Sequence, residues 1–290
     1  MSIIDEIKAS FKQSSYYIKI IYINVGFFAL LYVADIFYPI SKYFAIPGDY
    51  HLLLYRPWTV LSYMFVHEGF MHILFNMLWL YWFGGIFMHF LSNKQLLAVY
   101  LLGGFFGAFF HLATNSFLPE YARAGVVGAS AAVMSIVFAI SSYKPDYSLN
   151  LVFIGTVKIK YIALISFFLD FVGVLSDLKS PGFNNVAHFA HMGGAFYGLW
   201  WGYKMRAGKD INRWFSNFLD EFFSMFKSSG KQMKISYRNP KSKTPKDDMQ
   251  WNKNKADTIS EMDRILDKIS KSGYDSLTSK EKEFLFKQKK

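Results

Sequence analysis

The chain has 290 residues, of which 52% are hydrophobic, 20% aromatic and only 18% charged, an apolar share above the roughly 45–50% of soluble proteins. It has no cysteine, which excludes disulfides, thiolate metal sites and a cysteine nucleophile. The formal charge of +11 is mostly a property of the tail: residues 1–203 carry 11 Lys/Arg against 9 Asp/Glu, and residues 204–290 carry 21 against 12. Beside membrane spans such a tail fits anionic lipid, and no zinc-finger spacing or helix-turn-helix pattern supports a nucleic-acid partner.

Residues 1–19 (MSIIDEIKASFKQSSYYIK) read as a cytoplasmic N-terminal segment. Two acids and three lysines interrupt them, and no short apolar core leads to a small-residue cleavage site, so they are not a cleavable signal. A membrane span needs about 20 mostly apolar residues. Six stretches qualify in chain order: 20–40, 70–91, 95–117, 127–143, 159–176 and 186–204. Residues 41–69, long, aromatic and half apolar, read as an interfacial loop with Trp58 and several tyrosines at headgroup depth. The expected fold is an all-α polytopic membrane protein, a six-span helical bundle over residues 20–204.

Positive charge sets the expected orientation. With both ends cytoplasmic, the inside segments before the tail carry Lys8, Lys12, Lys19, Lys94, Lys144, Lys158 and Lys160, and the outside loops carry Lys42, Arg56, Arg123 and Lys179. The tail's 21 basic residues fall on the same inner side. Without cysteines or a signal peptide, the chain fits a bacterial inner membrane.

Residues 205–257 read as a basic linker, polar, aperiodic and disordered over 227–257. Residues 258–290 read as a small helical hairpin. Ile259, Met262, Leu266 and Ile269 share one helical face, and Gly273 is placed to cap it. Thr278 and Glu281 have capping-box spacing before Phe284 and Leu285. The hairpin is too small to hold together well alone. It reads either as a docking element for an unknown partner or the membrane face, or as a solvated tail.

Polar side chains inside a membrane are costly, so each is a candidate functional group. In the second span, MHILFN places His72 and Asn76 at i, i+4 on one helix face. They could supply donors to a developing oxyanion, or simply bridge neighbouring helices by hydrogen bonds. In the fourth span, AGVVGASAAV sets Ser130 among small residues, about 5 Å below the expected start of a helix entering from outside. The sixth span enters from the same side, with His188 and His191 about 3–8 Å below its start on one face. A serine and an imidazole can therefore share a depth near the outer surface. Gly194 and Gly198 follow His191 at +3 and +7, a spacing that allows close helix approach. With Gly128, Ala129 and Ala131 they imply that the fourth and sixth spans press together.

Other chemistries fit poorly. The stretch His67-Glu68-Gly69-Phe70-Met71-His72 is one residue too long for the H-E-x-x-H of a zinc protease. No Gly-x-Gly-Asp motif, Walker motif or dinucleotide fingerprint is present, and no metal or cofactor is called for. Asp35 and Asp170 are single acids in different spans, read as interfacial, hydrogen-bonded or protonated groups.

H-x-x-x-N on the second span, G-A-S on the fourth and A-H-x-x-G-x-x-x-G on the sixth, in that order, resemble the rhomboid intramembrane serine proteases. The resemblance covers residues 20–204. It implies Ser130 as nucleophile and His191 as general base and acid. It prefers His191 to His188 because only His191 has glycines at +3 and +7. His72 and Asn76 would stabilise the oxyanion, helped by the Ser130 backbone N–H. It implies a Ser–His dyad with no third carboxylate, in a site open to the outside. The substrates it implies are other membrane proteins, cut in or beside transmembrane segments rich in helix-weakening residues. Tyr55-Arg56 resembles the family's Trp-Arg loop motif, with Tyr for Trp. Three departures stand out: Met88 and Phe90 replace a Glu-x-Arg that many secretase-type members carry, Ala131 replaces a Gly, and Met134 replaces a frequent aromatic. The alternative within this resemblance is a catalytically inactive rhomboid-like protein that binds transmembrane clients.

Overall fold

A computed structural model describes residues 2–117, 125–151, 154–179, 187–225 and 248–287. They fall into two compact units, one within residues 1–228 and the other within 229–290.

The first unit opens with a short amphipathic helix, α1 (Ile3–Gln13), closed at its start by a capping box between Ser2 and Asp5. The chain then runs through α2 (Tyr16–Asp35), the single turn α3 (Thr59–Ser62), α4 (Phe70–Phe90), α5 (Asn93–Phe117) and α6 (Ser130–Tyr143). A two-stranded antiparallel hairpin, β1 (Ser148–Leu151) and β2 (Gly155–Lys158), leads into α7 (Ile159–Lys179), α8 (His188–Arg206) and α9 (Arg213–Met225). The small hairpin is a minor addition to an otherwise all-α membrane bundle. At its base Asp146 accepts hydrogen bonds from Lys160 and Lys158, which hold its carboxyl down at about 2.

Among the described residues, four helices are long and apolar enough to cross a membrane: Tyr16–Asp35, Phe70–Phe90, Asn93–Phe117 and Ile159–Ser176. They carry apolar side chains on outward faces as well as inward ones. Leu30 of α2 and Leu164 of α7 are both more than 60% exposed, as lipid-facing residues should be. The first span stops five residues short of its expected end. Asp35 accepts from the Ser41 backbone N–H across a turn that contains Pro39, whose missing N–H suits a turn and not a continuing helix.

α6 is the opposite case. It has 14 residues, most of them buried. At ~1.5 Å per residue it is about 21 Å long, short of the ~30 Å hydrocarbon core. It sits between α5 and α8, and small residues set that spacing. A Cβ on Gly194, Gly198 or Gly202 of α8 would meet the backbone carbonyls of Ala131, Ser135 or Ala139. From the other side, Cβ atoms on Gly103 and Gly107 of α5 would meet the Ser135 and Ala131 side chains. α8 therefore packs its backbone directly on that of α6, and α5 closes to within a small side chain of it, which is how helices associate where no hydrophobic force acts between them. Ser135, buried in this seam, donates to carbonyls of both its own helix and α5 (Ala132 at 2.7 Å, Val99 at 2.9 Å).

The loop before α4 ties to the entry of α6. Ile46 and Val126 exchange backbone hydrogen bonds of 3.0 and 2.9 Å, and the Gly128 N–H donates to the Tyr63 carbonyl at 2.9 Å. Within the loop, Trp58 donates to the Tyr43 carbonyl at 2.9 Å and the Arg56 guanidinium lies over the Tyr43 ring.

Two expectations from the sequence need correction. The fourth span does not begin at residue 127: Gly128 adopts φ +120°, outside helical space, so the helix starts at Ser130 itself. The stretch 205–257 is not all linker. α9 occupies Arg213–Met225, with Phe215 buried and Phe215, Phe218 and Phe222 stacked along one side. Residues 226–247, and with them most of the stretch read as disordered, lie outside the described residues, as does Arg123.

The second unit is α10 (Asp248–Ser272) followed by α11 (Ser279–Lys287). α10 begins ten residues before the hairpin read from sequence. Gly273, at φ +75°, donates to the Ile269 carbonyl and closes α10. The Thr278–Glu281 capping box forms at the start of α11.

Candidate active site

The N-terminus of α6 supplies the serine. Residues 125–129 arrive non-helical, held by the Ile46–Val126 bridge, and turn at Gly128 into the helix. Ser130 is thus the first residue of α6, where backbone N–H groups have no intrahelical acceptor and the helix dipole favours negative charge.

α8 supplies the imidazole. His191 lies one turn into that helix, and Gly194, one turn further on, sits on the Ala131 carbonyl next to Ser130. This approach sets His191 Nε2 2.7 Å from Ser130 Oγ. His188 does not reach the serine. Its ring lies against α7, where a Cβ on Gly173 would meet ring atoms including Nε2, and its Nδ1 is 2.8 Å from Asp170 Oδ1.

α4 supplies the remaining polar groups. The His72 ring packs against the Gly128 backbone, where a Cβ would strike its Nε2. Asn76 lies one turn below and donates from Nδ2 to the His72 carbonyl at 2.9 Å. Both line the same cavity of about 470 Å³ as Ser130 and His191. Its other walls include Met71, Phe75, Trp79 and Met134, an apolar lining around a few convergent polar groups. Behind His72, the buried His67 ring lies with its centroid 5.1 Å from the His72 centroid. Burial holds His67 down at about 4, so it is neutral at neutral pH.

The structure corrects one point outright. No acid is expected beside the histidine, yet His191 Nδ1 lies 2.8 Å from Asp170 Oδ1. Asp170 of α7 is buried, and the same oxygen faces both His188 and His191. Ligand atoms of Asp170, His188 and His191 lie within 4.8 Å of one another, the one such cluster among the described residues. In this arrangement they engage each other directly. A signal for Asp170 exists in the sequence. It lies six residues before the expected end of the fifth span, and His191 lies five residues after the expected start of the sixth, so both are about 8–9 Å below one surface. The depth argument that pairs Ser130 with His191 also selects Asp170.

These groups can perform acyl transfer. A carboxylate only accepts hydrogen bonds, so the proton of the His191 ring sits on Nδ1 and the Nε2 lone pair faces the serine hydroxyl.

The chain is similar to known proteins over this region. The model of the Rhomboid domain matches residues 55–208. Residues 247–287 match a family of unknown function (DUF6576). The chain is 30% identical over 145 residues to presenilin-associated rhomboid-like protein A, mitochondrial, of Danio rerio, covering 47% of this chain and 34% of that protein. It is 28% identical over 145 residues to the Homo sapiens presenilin-associated rhomboid-like protein, mitochondrial, covering 47% and 35%. It is 25% identical over 142 residues to rhomboid protease GlpG of Yersinia pseudotuberculosis, covering 49% and 46%. The chain thus spans about a third to a half of the length of these relatives. With a Rhomboid domain over more than half of its length, this chain belongs to the rhomboid family.

Proposed function

We propose that the chain is an intramembrane serine protease that cleaves peptide bonds in or next to transmembrane segments of other membrane proteins. The observation that carries this reading is the 2.7 Å contact between Ser130 Oγ and His191 Nε2 inside a cavity lined also by His72 and Asn76. The naming of one relative as a rhomboid protease is in keeping with it.

The geometry supports the following sequence of steps. As Ser130 Oγ attacks the scissile carbonyl, its proton passes to His191 Nε2. The developing oxyanion is met by His72, Asn76 and the Ser130 backbone N–H at the start of α6. His191 then delivers the proton to the leaving amine nitrogen, and the C–N bond breaks. Water, activated by the same imidazole, hydrolyses the acyl-enzyme and restores Ser130. The substrate backbone must be extended to reach Ser130, so segments weakened as helices by Gly or Pro are favoured.

The short α6 accounts for how a serine can work there. Lys144 follows it directly, and with that end at the cytoplasmic surface a ~21 Å helix leaves Ser130 recessed below the opposite face, within reach of water. Both termini then lie on the cytoplasmic side with the basic tail, and the site opens to the outside.

The test is cleavage of a transmembrane reporter by purified protein in detergent micelles. The parent should cut it and take a fluorophosphonate label, and Ser130→Ala and His191→Ala should do neither while remaining folded. Cleavage by Ser130→Ala at the parent's rate would refute the mechanism. A folded parent that binds the reporter without cutting it would indicate a client-binding protein instead.

A further inference from the structure

Asp170 is a charged group buried in a helix otherwise built for lipid. Its neighbours Phe168, Leu169, Phe171 and Val172 are all exposed. Ala163, Ser166, Asp170 and Val174 are buried, one stripe of α7 at helical spacing. The Ser166 hydroxyl is satisfied by its own helix through the Ile162 carbonyl. Asp170 alone on this stripe reaches across to α8, and it does so twice, with His191 Nδ1 and His188 Nδ1 each 2.8 Å from Oδ1. Gly173, one turn further on, leaves space for the His188 ring. The face of α7 is thus shaped around both imidazoles.

A carboxylate in a membrane interior is expensive, and packing alone does not call for one. Two imidazole donors on one oxygen fix where that oxygen lies, and the oxygen fixes the His191 ring. We infer that Asp170 is a positioning residue that completes a Ser130–His191–Asp170 relay, with His188 as the second tether holding the carboxylate in place. This rests on the protease reading above. In the first step the Ser130 proton moves to Nε2, the Oγ–C bond forms, and the His191 ring becomes a cation facing the Asp170 carboxylate. The Nδ1 proton stays on Nδ1 throughout. When the C–N bond breaks, the Nε2 proton leaves with the amine. Asp170 thus selects the tautomer that presents the base and stabilises the charge the base acquires, without itself taking a proton.

The experiment compares kcat and KM for the reporter, the fluorophosphonate labelling rate and the thermal midpoint of the full chain with those of Asp170→Leu and Asp170→Asn, below every midpoint. Leu has no acceptor, and Asn keeps an acceptor but no charge. The expected result is a loss in kcat and labelling of ~10²–10⁴-fold for Asp170→Leu, the range a positioned acid–base group provides, with KM near the parent's. Asp170→Asn should fall between Leu and the parent, which a purely structural contact would not produce. A folded Asp170→Leu with kcat within about threefold of the parent, or with kcat falling only in step with a rise in KM, overturns the inference. An active parent alongside such variants removes Asp170's role and leaves the protease reading standing. A parent that neither cleaves nor takes the label brings down both.

Discussion

Gly194 of α8 faces the Ala131 carbonyl of α6 with no space for a Cβ between them. That contact lies one residue from Ser130 and one turn from His191, so the helix spacing and the 2.7 Å hydrogen bond are one geometric fact. Gly194→Ala should force α8 outward. A displacement near 1 Å at a reacting pair costs ~10²-fold in rate, and overpacking costs about 1–3 kcal/mol in stability. Activity per folded molecule, measured beside the thermal midpoint, should drop by that factor. Parent-like turnover in Gly194→Ala would mean that the helices close the gap some other way.

Gly128 bears two constraints at once. Its φ of +120° is a conformation that side chains rarely adopt, and the His72 ring occupies the place of its missing Cβ. Gly128→Ala should strain the turn by about 1–3 kcal/mol and push His72 out of the cavity. Removing one oxyanion donor costs ~10²–10³-fold in kcat, and KM should change little because substrate binding uses the apolar walls. His72→Ala in the same assay should show a loss of similar size. Full activity in both variants would remove His72 from the oxyanion site.

The two histidines of α8 should separate cleanly. His191→Ala removes the group on Ser130 and should lower activity to the level of Ser130→Ala. His188→Ala removes only a second donor to Asp170, and the His191 contact remains. A several-fold reduction, on the order of 3–10-fold, is expected, since the remaining hydrogen bond still orients the base. Reporter cleavage with both purified variants decides it, and equal losses would contradict the distinction drawn from the geometry.

Much of this arrangement can be read from the sequence, and the gaps have physical causes. Apolar length locates the helices because a bilayer imposes it, so α2, α4, α5 and α7 are visible as runs. The start of α6 is misplaced because hydropathy cannot see φ: Gly128 is as apolar as a helical residue, and only its backbone angle ends the helix. α9 escapes notice because 13 residues with one phenylalanine-lined side make a helix too short to stand out as a span. Asp170 is passed over for a different reason. Its value lies in a partner 21 positions away, and a dyad that needs no acid gives no cause to look for one.

The helical hairpin of the second unit offers a test that is independent of catalysis. Glu281 is buried at the start of α11, and its carboxylate accepts from the Thr278 N–H at 2.8 Å and from Lys268 Nζ at 2.9 Å. The Thr278 backbone bond, followed by the Lys268 and Thr278 side chains, holds its carboxyl down at about 2, against an ordinary value of 4.5. A carboxyl lowered on folding stabilises the folded state fully above its unfolded value, and this contribution is lost as pH falls toward the folded one. Hydrogen-exchange protection of residues 279–287 in the full chain should therefore be flat from pH 7 to about 5 and decline between 4.5 and 2. Glu281→Gln keeps the side-chain shape and removes the titration. Protection there should be lower at pH 7 than in the parent and no longer change across the acid window. An acid decline of equal size in Glu281→Gln would place the sensitive group elsewhere in the hairpin.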